Sequence, residues 1–177
     1  PENELVIGTY STGAAVRMDP PMTASYGDWQ YNDQIYDTIV TAGYDGVTIE
    51  DSLAESWEVS EDGMTYTFHL KDGVKFHSGK PLTSEDVKLS WERWQTDPEG
   101  QYSYYLDFVK SIETPDDLTV VVNMEKPDNN LLINLTVPVA SIVNVDFIEQ
   151  AEAEGKVYGV EVADGTGPFK LEEYVAG

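Results

Sequence analysis

Residues 53–93, LAESWEVSEDGMTYTFHLKDGVKFHSGKPLTSEDVKLSWER, leave the chain little freedom in how it folds. From Met64 to Leu70 the side chains alternate. Met64, Tyr66, Phe68 and Leu70 fall on one face, and Thr65, Thr67 and His69 on the other. Period two means a strand covered on one side. Ser60-Glu61-Asp62-Gly63 before it is a turn, with Gly63 suited to a positive φ, so residues 55–59 form the hairpin partner. Lys71-Asp72-Gly73 is a second turn, followed by a short strand over 74–76 and a loop through Pro81. Thr83 and Asp86 have the spacing of a capping box, and Val87, Trp91 and Trp94 then recur at i, i+4 and i+7. That is an amphipathic helix, stopped by Pro98-Glu99-Gly100.

The flanks are read from this centre. Residues 4–10 are a short β-branched strand, and Ser11 to Pro21 is a loop ended by Asp19-Pro20-Pro21. Asp28 is the predicted cap of a helix over 29–40, with Ile35 and Ile39, then Tyr36 and Val40, at helical spacing. Tyr44-Asp45-Gly46 is a turn before a strand at 47–49. Tyr102, Tyr104 and Tyr105 enter a helical piece reaching about residue 111. Strands follow at 118–124, 141–145 and 169–174. Helices are expected from Pro127 to Leu135 and, capped by Asp146, to Glu154. The inventory is α/β, mixed α and β, in two sub-lobes. A β-rich unit spans 45–126, and the first lobe takes 1–44 and 127–177.

Charge narrows the function. Ten basic against 33 acidic residues give a net charge of −23. Such a surface repels phosphate backbones, so nucleic acid is not a partner. Only Arg17 and Arg93 could grip a carboxylate in bidentate fashion. With no cysteine, disulfides and thiol chemistry are excluded. His69 and His77 are too isolated for a zinc site, no G-x-S-x-G elbow occurs, and no metal or cofactor is expected. Gly165-Thr166-Gly167-Pro168 lacks the Lys-Ser/Thr ending of a phosphate loop. Abundant carboxylates keep one enzymatic alternative open, a carboxylate-based hydrolase domain acting on glycans.

The 53–93 stretch, preceded by QIYDTIV and followed by GTGPFKLEEY, closely resembles the peptide/nickel-type family 5 of extracytoplasmic solute-binding proteins. The resemblance implies a type II periplasmic-binding fold, two lobes closing on a solute without covalent chemistry. It also implies that this chain is an N-terminal portion, with part of the first lobe and the β-rich subdomain but not the second lobe. The implied partners are a peptide or other small solute and the membrane permease of an ABC importer. The implied location is extracytoplasmic, periplasmic or lipid-anchored on the cell surface. Three ligand-facing places follow from it: Tyr10, Ser11 and Thr12 after the first strand; Tyr104 and Tyr105; and Val139, Ala140 and Ser141 after Pro138. Relatives that hold anionic metal chelates use an arginine near the third place, where this chain has Val139 and Ala140, which favours peptides over nickel chelates. The resemblance makes the GTGPF bend structural, with Phe169 and Leu171 entering a lobe sheet.

Overall fold

A computed structural model describes residues 17–175. The strand expected at 4–10 lies outside them. A 3-10 turn at Pro20–Met22 leads into helix α1 (Tyr26–Ile35). Its cap is Ser25, whose hydroxyl oxygen accepts from the Asp28 N–H at 3.2 Å. Asp28 itself accepts from the Ser25 hydroxyl at 2.8 Å, inside the first turn.

The helix ends five residues earlier than its apolar spacing suggests. The Gln34 and Ile35 carbonyls receive the N–H groups of Phe169 and Gly167, and those of Thr38 and Ile39 receive Leu53 and Ala54. Carbonyls satisfied by distant chain have no need of another helical turn. Ile39 and Val40 are buried all the same, but beyond the end of the helix. Val40–Ala42 is strand β1, paired antiparallel with β2 (Ile49–Asp51). The Asp45 carboxylate fastens the connection by accepting from the N–H groups of Val47 and Thr48 at 2.9 and 2.8 Å. That places β2 two residues beyond the strand expected at 47–49.

The centre of the chain folds as its pattern dictates. Strands β3 (Ala54–Val59) and β4 (Thr65–Leu70) form an antiparallel hairpin, with Gly63 at a φ of 68°. Helix α2 (Ser84–Thr96) follows. Strands β5 (Val109–Asp116) and β6 (Thr119–Met124) complete a sheet of order β3-β4-β6-β5. The expected strand at 74–76 is reduced to one bridge, Lys75 with Pro81. The helical reading up to residue 111 is replaced by the 3-10 turn Ser103–Leu106 and the start of β5. The open edge of β6 offers residues 109–116 a ladder that their local sequence does not announce.

Helix α2 lies on the sheet. Phe68 meets Trp91 edge-on at 6.3 Å, and both are buried with Val87, Trp94, Val120 and Val122. Full burial of each such side chain contributes about 2–3 kcal/mol. The same cluster continues through Ile39, Leu131, Leu135, Val139 and Ile142. A smaller cluster joins Met18, Ile35, Tyr36, Val143, Ile148 and Tyr158.

The remaining elements are short. Helix α3 is only Leu131–Asn134, and α4 is Val145–Ala153, capped by the Asn144 side chain rather than by Asp146. Residues 141–145 form no ladder. Their polar groups are met singly, Ile142 N–H by the Asp37 carbonyl and Val143 N–H by Ser90 Oγ. Residues 169–174 form no strand either, and Phe169 is exposed rather than set in a sheet.

Candidate functional site

Two segments converge on the Pro20–Met22 turn. Its Pro21 carbonyl accepts the Gln101 N–H at 2.7 Å, which brings the tyrosine-rich segment alongside. The turn also packs against the 3-10 turn Pro138–Ala140. Proline at its first two positions fixes φ and dispenses with two donors, so a rigid bend forms without a regular partner.

The tyrosine segment is held from beneath by α2. Trp94 Nε1 donates to the Gln101 carbonyl at 2.7 Å, and Gln95 Nε2 to the Leu106 carbonyl at 3.0 Å. Tyr102 carries a φ of 58° and ψ of 19°, a left-handed conformation that a non-glycine residue adopts at a cost of roughly 1 kcal/mol. The rings explain what that conformation serves. Tyr102 stacks on Tyr105 at 5.7 Å, Tyr104 meets Tyr105 edge-on at 4.7 Å, and Trp29 of α1 closes on Tyr102 at 5.9 Å. Trp94 supports Tyr105 from the core at 6.4 Å. Burial, a hydrogen bond with Tyr104 and the neighbouring phenols raise the Tyr105 pKa, which keeps it a neutral donor. Tyr104 is 59% exposed, so the cluster presents an open aromatic edge. Such a surface offers flat apolar faces and phenolic hydroxyls at little cost in side-chain entropy.

The three expected places fare differently. Tyr10, Ser11 and Thr12 lie outside the described residues. Tyr104 and Tyr105 stand together in the open cluster. Val139 and Ala140 are buried in the core, where the Ala140 carbonyl accepts from Trp91 Nε1 at 3.2 Å. Ser141 lies beside them at the edge of a polar cavity. Sequence reasoning passed over Trp29, Gln101 and the Pro20–Met22 turn. The consecutive prolines were the available signal, because they mark a fixed bend rather than a plain connector.

Charged groups near the cluster are already engaged. Arg93 grips Asp19 with two bonds, 2.9 and 2.6 Å. Burial works against its charge, but hydrogen bonding and attraction from Asp19 prevail and raise the Arg93 pKa. Arg93 therefore serves the fold. Among the described residues no three acidic or histidine side chains converge as a metal site. No helix among them is long and apolar enough to cross a membrane.

The architecture is that of a type II periplasmic binding protein. It superposes on the binding protein of A. tumefaciens R10 solved with agropinic acid at a TM-score of 0.82 and 32% identity, covering 93% of this chain and 33% of that one. A Helicobacter pylori periplasmic binding protein solved with the peptide STSA gives a TM-score of 0.78 and 33% identity, over 92% of this chain and 36% of that one. The chain belongs to the bacterial extracellular solute-binding proteins, family 5, whose middle-region profile matches residues 48–177. It is 35% identical to heme-binding protein A of Haemophilus influenzae over 80% of this chain and 29% of that protein. It is 33% identical to a probable D,D-dipeptide-binding periplasmic protein of Escherichia coli over the whole chain and 35% of that protein. The chain thus spans about a third of the length of these curated relatives.

Proposed function

We propose that these residues form one wall of the ligand cleft of an extracytoplasmic solute-binding protein that delivers peptides to an ABC importer. The observation that carries this reading is the exposed Tyr104 edge on the Tyr102–Tyr105 stack, held beside the Pro20–Met22 turn. A wall of this kind contacts variable side chains through aromatic faces and leaves main-chain polar groups to backbone partners. The two relatives named for or solved with peptides support peptides as ligand class. The heme-binding and agropinic acid-binding relatives define the competing ligands to be tested.

In this proposal residues 1–44 and 127–177 contribute to the first lobe, and 45–126 form the β-rich unit that carries the tyrosines. Tyr10, Ser11 and Thr12 would line the same wall, and Val139 and Ala140 would act through their backbone. A second lobe would close over the ligand, with no bond made or broken. The membrane permease would receive the closed form. The family is one of solute-binding proteins, which leaves the glycan hydrolase reading without support.

The test is calorimetric titration of the full-length protein with tri- and tetrapeptides, hemin and agropinic acid. The expected result is saturable peptide binding, weakened about 10-fold or more by Tyr104→Ala or Tyr105→Ala, as for an aromatic anchor at an interface. Peptide binding unchanged in both variants would remove the tyrosines from the site. Binding of hemin or agropinic acid alone would replace the ligand class.

A further inference from the structure

A second concavity lies apart from the tyrosine cluster. Its volume is about 260 Å³, and it opens between the end of α1, strand β1 and the segment after Pro138. Its lining includes the carboxylates of Asp33 and Asp37 and the hydroxyls of Thr38, Thr41, Ser52 and Ser141, beside Thr136 and Tyr36. Among the described residues no lysine, arginine or histidine lines it.

The lining is built rather than incidental. The Asp37 carbonyl accepts the Ile142 N–H at 3.0 Å, and its carboxylate accepts the Thr166 hydroxyl at 2.7 Å, which fixes that side chain. Thr38 Oγ1 donates to the Val40 carbonyl at 2.7 Å, leaving its lone pairs free to accept. Ser141 is only 4% exposed, yet its hydroxyl has no hydrogen-bond partner among the described residues and borders the cavity. The oxygen is not sealed from solvent, so its donor and lone pairs stay available to something that enters the cavity. Asp33 likewise has no ion-pair or hydrogen-bond partner among the described residues. Its carboxylate still reaches solvent at the rim, while the surrounding protein removes enough water to raise its pKa. Asp33 is exposed and Asp37 half-buried, and neither carboxylate has a cationic partner among the described residues.

We infer that this cavity is a binding site for a small primary amine, whose ammonium group the Asp33 and Asp37 carboxylates neutralise and the Ser141 hydroxyl accepts. The choice of an organic cation over a metal ion rests on the donor set. A hard metal ion takes six or more oxygens and is usually held by several carboxylates, whereas no three acidic or histidine side chains converge among the described residues. An ammonium carries three N–H donors in a tetrahedral spread, which suits a ring of carboxylate and hydroxyl acceptors. The volume admits a stem of a few heavy atoms. None of the rings of the aromatic wall, Trp29, Tyr102, Tyr104 or Tyr105, lines the cavity, so the two sites are tested separately.

The test uses the full chain and ethanolamine, followed by heteronuclear NMR. Saturable shifts of the Thr41, Ser52 and Ser141 amides are expected. Asp33→Asn should weaken ethanolamine at least 10-fold, and Ser141→Ala should weaken it while leaving the fold unchanged. Glu61→Gln removes the same charge from an exposed turn and should not weaken it. Tetramethylammonium, a cation without N–H donors, should bind at least 10-fold more weakly. Equal weakening by Asp33→Asn and Glu61→Gln would show only diffuse attraction to an acidic chain and overturn the proposal. So would tetramethylammonium binding as well as ethanolamine, Mg²⁺ shifting the same amides in its place, or no saturable shifts at all.

Discussion

At the scale of single residues, several carboxylates in this chain act as acceptors for its own backbone. Asp45 is the clearest case. Its side chain takes the Thr48 hydroxyl at 2.6 Å along with the two N–H groups of the β1–β2 connection. These bonds, led by the Thr48 hydroxyl, lower its pKa from 3.8 to about 2. A folded-state pKa below the unfolded value gives stability that is present above pH 3.8 and lost as pH falls towards about 2. The connection should therefore stay closed at pH 4 and open near pH 2. NMR titration of the Thr48 amide checks this, and a midpoint near 4 would contradict it. Asp19 is spent in the same way on Arg93, so a net charge of −23 overstates the acid free to meet a ligand.

At the scale of elements, the start of α2 depends less on its capping threonine than on Asp86. One oxygen of that buried carboxylate accepts from both the Thr83 N–H and the Thr83 hydroxyl at 2.9 Å. The other oxygen takes Lys80 Nζ at 2.6 Å. Lys80 also reaches Asp146 at the start of α4, so one ammonium ties two helix starts together. Burial opposes the Lys80 charge, but its bonds to Asp146 and Asp86 outweigh it and raise the pKa. Thr83→Ala should cost about 1 kcal/mol, the usual worth of a cap. Asp86→Ala strands a cation and unpairs the Thr83 groups, and should cost about 3 kcal/mol. Urea denaturation of the two variants checks the order, and equal losses would place the weight on Thr83 instead.

At the scale of the whole molecule, the loop 164–170 binds parts far apart in sequence. Gly167 and Phe169 N–H groups cap the carbonyls of Ile35 and Gln34, and the Gly165 carbonyl accepts from His77 N–H at 2.8 Å. His77 Nε2 meets the Gly167 carbonyl at 2.7 Å. The buried Asp164 carboxylate takes the Ser78 N–H and hydroxyl and Asn144 Nδ2, each at 2.7 Å. A Cβ on Gly167 would stand 2.6 Å from the Ile35 carbonyl carbon and 2.7 Å from the Gln34 oxygen. Those are backbone atoms of a helix end and cannot step aside. Gly167→Ala should cost about 3 kcal/mol, at the upper end for overpacking. Calorimetric unfolding checks this, and a variant of undiminished Tm would mean that the two segments are not in firm contact.

The sequence by itself determined whatever depends on neighbours a few residues away. The β3–β4 hairpin, the alternation from Tyr66 to Leu70, the Thr83–Asp86 box and the buried face of Val87, Trp91 and Trp94 all appear where the pattern put them. The family followed from the same stretch. The tyrosine cluster was legible as a dense run, but not its partners Trp29 and Pro21. Tertiary structure decided the rest, because distant groups there took over hydrogen bonds that local sequence would have made. Distant N–H groups ended α1 at Ile35, the edge of β6 drew in β5, and single bonds from Asp37 and Ser90 held residues 142 and 143 without a ladder. The same long-range contacts buried Val139 and Ala140 while leaving the Ser141 hydroxyl at the rim of an acid-lined cavity, a distinction that no spacing along the chain records.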